Sequence, residues 1–150
     1  MNRFEYPVLL APAEEGGFVV TCRDLPEVIT QGENVTDALA EAADAMDEAF
    51  AARMQVDESL PLPSSPCEGE YVVSPPAETV AKAALYVAMR EAGVTKVELA
   101  KRLGVDEKEV RRMLDPRHGT KLPRIAQAVC LLGKRLVIGL EGTNNRQAPT

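Results

Sequence analysis

The sequence predicts an α+β protein in two parts: a ββ(β)αβ region over residues 1–74, then an all-α region over residues 75–142 with a short C-terminal strand. Residues 143–150 read as a frayed, disordered tail. Two observations predict this division. β-forming runs near the start give way to helical periodicity, with prolines at 61, 63, 66, 75 and 76 between the two regimes. Charge is also segregated: residues 1–74 hold 3 Lys+Arg against 15 Asp+Glu, and residues 75–150 hold 14 against 8, within a net charge of −6. An acidic chain argues against nucleic acid, but this segregation reopens it for the second part.

Residues 3–11, RFEYPVLLA, alternate loosely at Phe4, Tyr6 and Val8. A turn at Glu14-Glu15-Gly16-Gly17 and a second run from Phe18 to Cys22 make a hairpin. A third short strand is expected over Glu27–Thr30 after the Leu25-Pro26 bend, ending before Gly32. Asn34 caps the next helix and Asp37 answers from its third position. Val35, Leu39, Ala42, Ala43, Met46, Phe50 and Met54 form its apolar stripe, which should pack on the sheet as far as about Arg53. Its other face is acidic, with Asp37, Glu41, Asp44, Asp47 and Glu48. Paired carboxylates can hold a metal or act as acid and base, but on the wet face of an amphipathic helix they ordinarily serve solvation. Glu70–Val73, EYVV, supplies a fourth strand, and Ser74-Pro75-Pro76 opens the next helix.

Thr79–Ala92 carries Val80, Ala83, Ala84, Val87 and Met89 in helical register, and Gly93 ends it. Thr95–Leu114, TKVELAKRLGVDEKEVRRML, reads as two short helices joined at Gly104, with Leu99, Ala100, Leu103, Val110 and Met113 as the buried seam. A left-handed turn there favours glycine, and Ala100 permits close crossing. Both helices open with a capping box, Thr95 with Glu98 and Asp106 with Glu109. The pattern is that of a helix-turn-helix with Lys108, Arg111 and Arg112 facing outward. A last helix from Leu122 to Gly133 has Ile125, Ala128, Val129 and Leu132 as its stripe, with Cys130 expected in the core. Leu136–Leu140 is a β-type run suited to pairing with a second subunit.

Cys22, Cys67 and Cys130 are scattered and form no C-x-x-C pair, so no disulfide framework or zinc site is indicated. The first residues lack the features of a secretory leader, and no apolar run approaches the ~18 residues of a membrane span. A cytoplasmic protein without metal or cofactor is expected. The lone His118 has no acid–nucleophile constellation beside it and reads as an exposed loop residue or a phosphate contact.

Asp24-Leu25-Pro26, Thr30-Gln31-Gly32 and Asp37-Ala38, followed by a Cro/repressor-type helix-turn-helix, resemble the HicB antitoxins of bacterial type II toxin–antitoxin systems over roughly residues 3–140. Glu27 stands where that family usually has glycine, which opens or tilts the turn. The resemblance implies a truncated ribonuclease-H-like first domain without catalytic carboxylates. Such a domain occludes a small mRNA-cleaving toxin, HicA, and the second domain represses the shared operon. Under that reading the chain is not an enzyme. Glu14, Glu15, Asp24, Asp44, Asp47 and Glu48 become toxin-contact candidates, because acids complement an RNA-gripping protein. Lys108, Arg111 and Arg112 are base or phosphate candidates, and Lys96, Lys101, Lys121 and Arg124 phosphate candidates. Useful specificity normally needs two half-sites, which makes Leu136, Val137, Ile138 and Leu140 candidates for dimerisation. The competing readings are a stand-alone dimeric repressor whose first domain senses a ligand or oligomerises, and a ribonuclease using the acidic helix with Asp24.

Overall fold

The structure, a computed structural model, describes residues 1–142, so the tail expected over 143–150 lies outside the described residues. Strands β1 (Tyr6–Pro12), β2 (Phe18–Thr21) and β3 (Ile29–Gly32) precede helix α1 (Val35–Gln55) and strand β4 (Tyr71–Val73). Helices α2 (Ala77–Ala92), α3 (Lys96–Leu103), α4 (Glu107–Met113) and α5 (Leu122–Leu131) follow. The class is α+β. The chain divides into two compact units, residues 1–49 and 61–76 with 141–142, and residues 50–60 with 77–140. Residues 50–60 thus group with the helices rather than with the sheet.

In the first unit the sheet is antiparallel in the order β3-β2-β1-β4. Tyr6 pairs with Val73, Val8 with Tyr71, Leu10 with Val20, and Val20 with Thr30. Residues at even positions point to one face, and that face holds the core: Tyr6, Val8 and Val20 are buried together with Ala38, Ala42, Met46 and Ala49 of α1. Gly32 fixes the approach. A Cβ there would lie 2.5 Å from the Ala38 Cα and 2.8 Å from the Asp37 carbonyl carbon, so only glycine lets the helix backbone come this near to β3. The first turn of α1 is capped both ways: the Asp37 N–H donates to Asn34 Oδ1 (2.8 Å) and the Glu33 N–H to Asp37 Oδ2 (2.9 Å).

The third strand begins two residues later than expected. Pro26 and Glu27 occupy a β-turn closed by the Val28 N–H donating to the Leu25 carbonyl (2.9 Å), which leaves Leu25 and Val28 as fully buried anchors on either side. Glu27 is not among the residues with positive φ and the turn is hydrogen-bonded, so the opening expected from Glu27 in the place of the family's glycine does not occur.

In the second unit, α3 packs on α4 and on α5, and α2 on α5. Leu85, Tyr86, Met89, Leu99, Ala100, Val110, Met113, Leu114, Ile125, Ala128 and Val129 form the core. Gly104 takes φ 69° and Val105 N–H donates to the Ala100 carbonyl (3.0 Å), the left-handed stop that lets the chain reverse into α4. Thr95 and Glu98 form the first capping box. The second is half made: Asp106 accepts from the Lys108 N–H at 2.9 Å, while Glu109 turns instead toward Arg112 at 3.7 Å.

Two expectations are corrected. Leu136–Leu140 is not a strand in the single chain, and Val137, Ile138 and Leu140 are exposed. A strand is a paired structure, and no free edge in the described residues pairs with this run. Cys130 is exposed, because the buried side of α5 runs through Ile125, Ala128 and Val129, one position short of it.

Candidate nucleic-acid and partner interfaces

The cationic residues near α4 separate into two groups. Lys108, Arg112 and Arg124 line one open cavity of about 280 Å³ with Val105, Asp106 and Glu109. Lys96 and Arg111 line another of about 410 Å³, shared with Asp57, Tyr86, Arg90 and Glu107. Adjacent positions on a helix point about 100° apart, so Arg111 and Arg112 serve different sides of α4. Both arginines are engaged along the helix: Glu107 Oε1 accepts from Arg111 Nη2 (2.9 Å) and Nε (3.2 Å), and Glu109 lies 3.7 Å from Arg112. Lys101 and Lys121 are exposed, Lys121 at the N-cap of α5. Lys96 is half-buried, as is Arg124, and pairs with Asp57 at 3.4 Å, where Asp57 itself has a positive φ and its carbonyl accepts from Arg90.

One residue that sequence reasoning passed over organises this region. Lys82 of α2 is fully buried, and its ammonium donates to the carbonyls of Arg112 (3.1 Å), Asp115 (2.6 Å) and His118. These carbonyls belong to the end of α4 and the loop after it, where a helix presents unsatisfied acceptors and a negative dipole end. One side chain therefore satisfies the helix terminus and fixes the loop with three donors. Burial pushes the Lys82 pKa down, opposed by the neighbouring charges of Glu78 and Asp115. Sequence offered no sign of this, since a lysine amid Val80, Ala83 and Ala84 ordinarily marks the wet side of a helix. His118 itself is exposed, 3.8 Å from Asp115.

The acidic candidates in the first unit also separate. Glu14 and Glu15 are exposed in the β1–β2 turn, and Asp44 and Glu48 are exposed on α1 with Asp47 half-buried. Asp24 is committed elsewhere: its carboxylate accepts from both the N–H (2.9 Å) and the hydroxyl (2.5 Å) of Ser64, pinning the proline-rich segment. Glu70 acts similarly on the other side of that segment. It accepts from Arg23 at 3.0 and 3.2 Å and from the Cys67 N–H at 2.6 Å, while Arg23 also donates to the Ser65 carbonyl. The hydrogen bond from Arg23 holds the Glu70 carboxyl below the usual carboxylate range. No group of three or more His, Cys, Asp or Glu in the described residues is arranged to hold a metal ion. No described helix is long and apolar enough to cross a membrane.

A four-stranded sheet with one helix, followed by a helical unit with a basic surface, is matched by known sequences. Residues 5–84 match the family described as "HicB_like antitoxin of bacterial toxin-antitoxin system". The chain belongs to the HicB-like antitoxin family. "Antitoxin HicB 1" of Photorhabdus laumondii subsp. laumondii is 36% identical over 141 residues, covering 94% of this chain and 90% of the relative. "Antitoxin HicB" of Escherichia coli K12 is 37% identical over 131 residues, covering 87% and 95%. "Antitoxin HicB" of Pseudomonas fluorescens Pf0-1 is 35% identical over 141 residues, covering 92% and 94%. For this HicB-like chain the Thr30-Gln31-Gly32 strand end acquires a physical reason: Gly32 is where α1 meets the sheet.

Proposed function

We propose that this chain binds and neutralises a HicA-type, mRNA-cleaving toxin through its first unit and represses its own operon by binding operator DNA through α3 and α4. The observation that carries this reading is the opposite charge of the two halves within a chain of the HicB-like antitoxin family, 3 Lys+Arg against 15 Asp+Glu in residues 1–74 and 14 against 8 in residues 75–150. Under it, α3 and α4 form a helix-turn-helix, and the sheet with α1 is a truncated ribonuclease-H-like domain used for occlusion rather than catalysis.

Magnitudes favour the DNA step. The Arg111–Glu107 and Arg112–Glu109 pairs are exposed contacts within one helix, worth about 0.3–0.5 kcal/mol each. Pairs this weak do not hold the arginines back from a base, and a bidentate arginine–guanine contact discriminates against the wrong base by about 1–3 kcal/mol. Lys108, Arg112 and Arg124 form the main phosphate-and-base cluster, with Lys96, Lys101, Arg111 and Lys121 beside it. Leu136, Val137, Ile138 and Leu140 join two copies, their backbone finding in a second chain the partner absent in one, so that two α4 helices reach adjacent major grooves.

The test is the double variant Arg111→Ala with Arg112→Ala in the full chain. Binding to a DNA fragment carrying the chain's own promoter should fall at least about 100-fold by gel shift, with toxin neutralisation in a growth assay intact. Loss of both activities in a folded variant would refute the division of labour. Operator binding that no toxin influences, with no rescue of toxicity, would instead favour a stand-alone repressor. RNA cleavage by the chain with Mg²⁺ or Mn²⁺ would contradict the non-enzymatic reading.

A further inference from the structure

The face of the sheet turned away from α1 is largely aliphatic where a solvated antiparallel face is ordinarily polar, and it is open from Leu9 across β2 and β3, while Pro7 on the same side of β1 is buried. Because a Cβ on Gly32 would strike α1, the even-numbered side of β3 faces the helix, and Ile29 and Gln31 face the other way. The register carries this across the sheet: Ile29 pairs with Thr21 and Thr21 with Leu9, while Gln31 pairs with Val19 and Val19 with Ala11. Leu9, Val19 and Ile29 are exposed by 49%, 37% and 68%. They are diagonal neighbours on three adjacent strands, a continuous aliphatic stripe rather than isolated surface residues.

The turns bounding these strands are acidic. Glu14 and Glu15 lie between β1 and β2, Glu27 precedes β3 and Glu33 follows it, all exposed. Residues 1–49 and 61–76 together hold 2 Lys+Arg against 13 Asp+Glu. That charge decides the occupant. A second copy seated on this face would bring two strongly acidic units together across a small apolar contact, and like charge would oppose it. A basic protein meets both features, an apolar centre to desolvate and an oppositely charged rim.

We propose that this open sheet face, Leu9, Val19 and Ile29 within the rim of Glu14, Glu15, Glu27 and Glu33, is the surface that grips a basic protein partner, and that the acids of α1 are outside it. The proposal rests on the toxin-binding reading above and names the surface for it. Ile29, the most exposed of the three and on an edge strand, is the expected hot spot. The rim glutamates act mainly on the rate of encounter.

The test uses the full chain and the toxin encoded beside it, with affinity and rates measured by interferometry at two salt concentrations. Ile29→Ser and Leu9→Ser should each weaken binding by about ten-fold or more through faster dissociation. Glu14→Lys with Glu15→Lys should slow association and flatten its salt dependence. Asp44→Lys with Glu48→Lys, on the helix side, should change affinity by less than about three-fold. Circular dichroism checks the fold, and Val19→Thr, which keeps shape and strand propensity, provides a second reading of the same stripe if a serine variant is unstable. Unchanged affinity in folded stripe variants, or loss of binding on α1 reversal, overturns the surface. So does an Ile29→Ser variant that only changes the chain's own oligomeric state. A wild-type chain that binds no toxin overturns the toxin-binding reading itself, and this surface with it.

Discussion

The two units use an ion for the same purpose with opposite sign. In the first, Asp24 and Glu70 hold the proline-rich segment, one through Ser64 and the other through Arg23 and the Cys67 N–H. In the second, Lys82 holds the segment after α4 through three carbonyls. Each unit therefore spends part of its dominant charge on its own least regular loop. The difference lies in the partners: Lys82 is fully buried and meets only backbone acceptors, whereas Glu70, also buried, is met by the Arg23 side chain, 43% of which is exposed. A count of charges says what kind of partner a unit attracts, but only the structure says which charges are left to meet it. Asp24, a contact candidate in sequence, also anchors a loop in the fold.

The sharpest way to break this comparison is at the packing that neither ion can rescue. Gly32→Ala puts a methyl group into the backbone of Asp37 and Ala38, where nothing flexible can move aside. The expected loss is about 3 kcal/mol or more, confined to the first unit. Hydrogen exchange should show β1–β3 and the first turns of α1 losing protection while α2–α5 keep theirs. A variant that exchanges like wild type would mean that α1 is not seated as described.

Lys82→Met comes next. It keeps the apolar stem and removes the ammonium shared by the Arg112, Asp115 and His118 carbonyls, of which the first two keep a backbone N–H donor. The expected cost is about 2–3 kcal/mol in the second unit, with the first unchanged. Exchange protection should fall in α4 and residues 115–118 before it falls in α3. Uniform loosening of all four helices would instead make Lys82 a packing residue only.

What was legible beforehand follows from the range of the interactions involved. Hairpin, helix periods and caps are local, so Asn34 with Asp37 and Thr95 with Glu98 could be read within a few residues of each other. β3 starts later than its composition suggests because Leu25 and Val28 are both anchors, and the turn between them takes up Glu27, where the strand is expected to begin. Lys82 was missed because its partners lie 30 to 36 positions away and are backbone atoms, which carry no residue signature. Leu136–Leu140 was expected as a strand because its composition fits one, but composition cannot supply the second strand. The basic candidates were found as a set, yet their division between Lys108–Arg112–Arg124 and Lys96–Arg111 depends on how α2 and α5 flank α4.

The smallest effect tests the first unit's ion through pH. Glu70 has its carboxyl held below the ordinary value by the hydrogen bond from Arg23, so the folded state binds its proton less readily than the unfolded chain does. A depressed carboxylate pKa stabilises the fold above the unfolded value, about 4.5, and that contribution disappears as pH falls through the lower folded value. Glu70→Gln removes the charge at every pH and should lower the melting temperature of the first unit by a few degrees at pH 7. The gap between variant and wild type should narrow as pH falls below about 4.5. Arg23 stays protonated throughout, so any narrowing belongs to the carboxyl group. At pH 7 Asp44→Asn, at an exposed acid of α1, should give a gap near zero, separating the acids that build the unit from those that only colour its surface. A constant gap for Glu70→Gln from pH 7 to pH 3 would mean that its amide-compatible contacts, chiefly the Cys67 N–H, carry the loop and the charge does not.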